Sequence, residues 1–76
     1  MVAFVLLGRR YVGSFRVEDA SAGGAVLYGE ARLRRGDRIE VILLFAHHGR
    51  IALEAEVVED RAVGAGEHAF AVRRAA

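Results

Sequence analysis

Arg38-Ile39-Glu40-Val41-Ile42-Leu43-Leu44-Phe45 decides the class of this fold. Ile39, Val41, Leu43 and Phe45 recur at every second position, while the residues between them start charged (Arg38, Glu40) and turn apolar at Ile42 and Leu44. A period of two sends successive side chains to opposite faces of an extended strand, so one face belongs to a core. The other face starts in water and is expected to be covered at the Ile42/Leu44 end. After a break at His47-His48-Gly49 the pattern returns. Ile51, Leu53, Ala55 and Val57 share one face of Arg50 to Asp60, with Glu54 and Glu56 opposite. Two alternating runs around a short glycine-containing break read as a hairpin.

The same period governs the flanks. Phe15 and Val17 alternate with Arg16 and Glu18, and Phe70 and Val72 alternate with Ala69, Ala71 and Arg73. Gly8, Gly13, Gly23-Gly24, Gly29, Gly36, Gly49, Gly64 and Gly66 punctuate the chain. Strands are predicted over 2–8, 12–19, 24–28, 38–46, 50–60 and 67–74. Leu33 to Asp37 reads as a turn, and Ala31 to Arg35 has the propensity for a single helical turn. Short strands at regular spacing with glycine turns predict an all-β protein, a small antiparallel six-stranded β-barrel. Closure would remove the exposed edges that threaten so apolar a chain.

The 76 residues carry 54% hydrophobic residues, no cysteine and a net charge of +1. That length makes one domain, 1–76, which buries only about 60–65% of the surface of its unfolded chain. Without cysteine there is neither a disulfide nor a thiolate metal site. Acids and arginines are interspersed, and a nucleic-acid binder would carry a more concentrated positive excess. The apolar run Met1 to Leu7 is too short to cross a bilayer and has no preceding basic residue, as a signal peptide would. No nucleic-acid or membrane partner is expected, and the expected location is the cytoplasm.

Asp19-Ala20-Ser21-Ala22-Gly23-Gly24 is the one stretch with a chemical signature, Asp-x-Ser-x-x-Gly, in a strand-to-strand turn. Such a turn can offer a carboxylate, a hydroxyl and bare backbone N–H groups to one ligand. It can equally cap itself, the aspartate accepting backbone N–H groups two residues on. His47 and His48, adjacent on a strand, point to opposite faces and read as a solvated hairpin tip, with His68 remote in sequence. Arg32, Arg34, Arg35 and Arg38 read as a solvated turn balanced by Glu30, Asp37 and Glu40. Ser14 and Ser21 have no neighbouring histidine, Glu54 and Glu56 lie on an exposed face, and Gly23-Gly24 lacks a following helix. Neither an enzyme nor a metal site is expected.

The order of these features resembles the PilZ domain, a small bacterial β-barrel family best known for binding cyclic di-GMP. The features are the Asp19/Ser21/Gly24 turn, an apolar strand to Tyr28, the Gly36-Asp37 turn, a long hairpin and the closing His68-Ala69-Phe70-Ala71-Val72 strand. The arginine-only, Ala/Gly/Val-rich composition fits a GC-rich bacterial gene. The resemblance implies that Asp19 and Ser21 hydrogen-bond the messenger and that Gly24 lets the backbone turn. It also implies an Arg-x-x-x-Arg segment before the first strand, whose guanidiniums would meet phosphates and guanines.

Here the chain departs from the family. Met1 opens directly into the first predicted strand, Arg9 and Arg10 are adjacent, Arg16 lies six positions past Arg10, and no helix follows the last strand. Two lost charge-assisted contacts at about 1.5–3 kcal/mol each weaken binding by roughly two to four orders of magnitude. The expected function is therefore a regulatory or adaptor module of bacterial cyclic di-GMP signalling. It would bind the messenger weakly or not at all and act by protein contact, with a partner protein or as a homodimer. Apolar surface is expected at one barrel mouth or on the Ile42/Leu44 face. The alternative is a true receptor using Asp19, Ser21 and Gly24, with arginines supplied by Arg9 and Arg10 or by a partner chain. An unrelated RNA-binding barrel would need a basic face bearing aromatics, whereas Phe4, Phe15, Phe45 and Phe70 read as mostly core.

Overall fold

The computed structural model describes residues 1–47 and 49–75, and its six strands close into an antiparallel barrel. The strands are β1 (Val2–Leu7), β2 (Arg10–Glu18), β3 (Gly24–Gly29), β4 (Arg38–Phe45), β5 (Gly49–Gly64) and β6 (Glu67–Arg74). Around the barrel they run β1-β2-β3-β6-β5-β4. Four neighbouring pairs are sequential hairpins, and the barrel is closed by β1 against β4 and by β3 against β6.

Strand alternation sorts the side chains as the period requires. Ala3, Val5, Leu27 and Val57 are fully buried, with Phe15, Val17, Ile39, Val41, Ala55, Phe70 and Val72 beside them. The parity that buries Ala3 and Val5 turns Phe4 outward, where it is 38% exposed rather than in the core. β5 continues to Gly64, beyond its predicted end at residue 60. Two register shifts explain the difference: one extra residue follows Val57 and another follows Ala62. Each bulge inverts the in/out alternation and so erases the period beyond it. The strand then enters a two-residue turn with both central residues at positive φ, Ala65 at 50° and Gly66 at 80°.

The antiparallel order gives the barrel two distinct ends. One gathers the Gly8-Arg9 turn, the Glu30–Asp37 connection and the Ala65-Gly66 turn; the other gathers the Asp19–Gly23 turn, the β4–β5 tip, the start of β1 and the end of β6. At the first end, residues 31–35 form no helical turn. The chain instead crosses the opening and buries Leu33 to 2% exposure. Burying a leucine contributes about 1.5–3 kcal/mol, more than one turn of an unnucleated helix returns. The crossing is pinned at several points. The Arg34 N–H donates to the Asp37 carboxylate (2.8 Å), and the Asp37 N–H to the Arg34 carbonyl (2.9 Å). Gly36 and Asp37 also exchange backbone bonds with Val57 at 2.7 and 2.9 Å.

At the second end β6 stops short. Its last pairing with β5 is Ala55↔Arg74, while β4 follows β5 back to Gly49. The β4–β5 hairpin therefore runs past the end of β6, and Ile51 is 49% exposed although it continues the inward face.

Candidate functional site

The Asp19–Gly24 turn joins β2 to β3 at the second end. Ser21 closes it: its N–H donates to the Gly24 carbonyl at 2.8 Å, and its hydroxyl lies 3.4 Å from the same oxygen. Asp19 sits at φ 53°, a left-handed conformation that aspartate tolerates better than most residues. The backbone N–H of Ser21 thus closes the turn, while the Asp19 carboxylate is exposed and accepts no hydrogen bond among the described residues. Gly24 has a different task. A Cβ there would lie 2.3 Å from the Val72 carbonyl, so its bare Cα is what lets β3 approach β6. The turn is tied to that strand again where the Arg74 N–H donates to the Gly23 carbonyl at 2.9 Å.

Arg9 and Arg10 are at the other end. The nine residues of β2 separate them from Asp19, a span of about 30 Å at roughly 3.3 Å per residue. The structure does not bring them to Asp19, Ser21 and Gly24. The arginines that share the turn's end are Arg16, Arg73 and Arg74. Arg16 is engaged with Glu18 at 2.7 Å and lies 4.6 Å from the Tyr28 ring centroid. The hydrogen bond to Glu18 raises its pKa above the ordinary guanidinium value. Arg73 pairs with Glu56 at 2.8 Å. Arg74 borders the barrel mouth beside Ser21 and Glu54. The sequence marks these last two only as a terminal basic pair, open to an acidic partner, a phosphate or solvent, and does not link them to the turn. The available signal was the antiparallel return of the final strand, which places Arg73 opposite Gly24.

Behind the turn, the barrel interior opens into a cavity of about 180 Å³. Ala20 and Ala22 cover one side, Ala25 and Ala55 leave room within it, and Leu43 and Leu53 form the wall carried by the long hairpin. A second apolar feature lies on the outer surface. Val2 (47% exposed) and Phe4 (38%) stand opposite Leu44 and Ile42 across the β1–β4 ladder. Tyr11 (56% exposed) continues the patch, its ring edge-on to Phe4 at 5.8 Å and 83°. Apolar surface thus occurs both at a mouth and on the Ile42/Leu44 face.

The remaining candidates stay dispersed. His47 is exposed, and the reading of His48 lies outside the described residues. His68 Nδ1 meets Asp60 at 2.8 Å, with its ring stacked on Phe70 at 5.6 Å and 11°. Among the described residues no group of three or more His, Asp or Glu side chains could hold a metal ion. Arg34 and Arg35 border a shallow recess shared with Glu59 and Asp60, so the arginine turn faces acids from β5 as well. No described helix is long and apolar enough to cross a membrane. Comparison of the chain with protein-family models, curated proteins and solved structures finds no match.

Proposed function

We propose that this chain is a PilZ-like adaptor module of bacterial cyclic di-GMP signalling that works by protein contact in the cytoplasm. The observation that carries the reading is the outer patch of Val2, Phe4 and Tyr11 over Ile42 and Leu44. Large apolar side chains adjoining one another on a small barrel mark an interface with a partner protein or a second copy. The strand order and the Asp19/Ser21/Gly24 turn between β2 and β3 support the family reading.

Weak or absent messenger binding follows from charge. Cyclic di-GMP brings two phosphate charges, and near Asp19 two of the three arginines are already paired with Glu18 and Glu56. Calorimetric titration with cyclic di-GMP tests this, with Asp19→Ala as control. No heat is expected up to about a hundred micromolar. Micromolar binding that Asp19→Ala abolishes would replace this reading with the receptor one, its arginines drawn from Arg74 or from a partner chain.

A further inference from the structure

The geometry points to a ligand site in the open end of the barrel, for a small neutral molecule whose apolar body is about the size of a benzene ring. This stands apart from the adaptor reading, because it concerns the barrel interior and not the outer face.

Volume is the first argument. The cavity holds about 180 Å³, and apolar protein cavities of about 150 Å³ take up benzene or xenon. The second argument is the origin of the space. Ala25 and Ala55 occupy inward positions where larger residues would meet across the barrel. The ladders on either side hold the strands apart, with Leu27 fully buried and Val72 only 8% exposed in the same wall. Such a void cannot collapse without breaking backbone pairing.

The third argument concerns water. The walls are alanine, valine and leucine side chains, which give water no hydrogen-bond partner, so an apolar group displaces it favourably. Polar chemistry is confined to the rim. Glu54 and Arg74 border the mouth with opposite charges, which selects against a net anion or cation, and the Ser21 hydroxyl stands beside them for one polar substituent. The same turn that closes on itself through Ser21 thus forms part of the entrance.

Benzene is the probe, titrated into the intact chain and followed by amide chemical shifts. The expected result is a saturable change centred on Ala25, Leu27, Leu53 and Val72, leaving Phe4 and Tyr11 unmoved. At ten times the dissociation constant, benzene should raise the thermal midpoint by about 6–11 °C. Ala55→Leu fills the cavity from within and should weaken binding at least tenfold while the circular dichroism stays that of the parent. Should Ala55→Leu fail to fold, Ala25→Val on β3 serves in its place with the same expected loss. Non-saturable shifts, shifts centred on the outer patch, or undiminished affinity in the filled variant would overturn the proposal.

Discussion

At one end of this barrel the interior is filled by Phe15 and Phe70, rings edge-on at 6.0 Å, with Leu33 brought in by a connecting segment. At the other end the same strands surround about 180 Å³ of space with Val17, Ala25, Ala55 and Val72. Two aromatic rings fill the first end, where the second has alanine and valine side chains. The His68–Asp60 pair, stacked on Phe70, lies toward the filled end, whereas the mouth is bordered by Ser21, Glu54 and Arg74. A small domain has little stability to spare. The two largest fully buried side chains, Phe15 and Phe70, sit together outside the lining of the open end.

The largest effect should come from emptying the filled end. Leu33→Ala is expected to destabilise the domain by about 2–5 kcal/mol, read from urea unfolding. It should also loosen the backbone bonds that Gly36 and Asp37 of the crossing segment make with Val57. A change below about 1 kcal/mol would mean that Leu33 is no plug and that the contrast between the ends is false. Gly29→Ala attacks the same end from the opposite direction. Its Cβ would lie 2.6 Å from the Phe15 ring, and overpacking of this kind typically costs 1–3 kcal/mol.

Gly24→Ala sharpens the comparison because it lies at the open end yet serves closure. Its Cβ would press on the Val72 carbonyl, a backbone atom with no rotamer to yield. A loss of about 1–3 kcal/mol is expected, close to that of Gly29→Ala. A neutral outcome would show that β3 and β6 separate readily and that the open end is loosely held. The signature glycine thereby acquires a structural reason independent of any ligand, and ligand studies of Gly24 variants would report on the fold first.

The sequence was most legible where the period of two ran unbroken. Ile39 and Val41 on β4, and Phe15 and Val17 on β2, point inward as their alternation required. Legibility failed where the signal itself vanished. Val2 to Leu7 is apolar throughout, so no polar residue marks the outer face and Phe4 could be read either way. Leu33 stands among arginines without a period, and only the closed barrel reveals the opening it fills. The bulges in β5 erased the alternation beyond Val57. Closure of β3 on β6 leaves no local trace either, so the arrival of Arg74 at Gly23 could not be read from the chain. The Asp19–Gly24 stretch was legible as a turn, but the left-handed backbone at Asp19, φ 53°, was not.

That angle supplies a smaller test. Asp19→Gly relieves the left-handed strain while removing the exposed carboxylate, and should be neutral or stabilising by up to about 1 kcal/mol. Clear destabilisation would mean that the carboxylate holds the turn after all.

A comparably small effect is expected at the filled end's Ala65-Gly66 turn, between paired Gly64 and Glu67. Two successive positive φ values are the signature of a type I′ turn, in which asparagine before glycine is favoured and alanine is not. Ala65 at φ 50° carries a Cβ penalty of roughly 1–2 kcal/mol, which asparagine lessens through local hydrogen bonding. Ala65→Asn should therefore stabilise the domain by about 0.5–1 kcal/mol, raising the midpoint by a few degrees. Because the turn sits outside the barrel, benzene affinity at the opposite end should stay unchanged. A shift in that affinity would show that the two ends communicate through β5 and β6, and would end the description of them as independent regions.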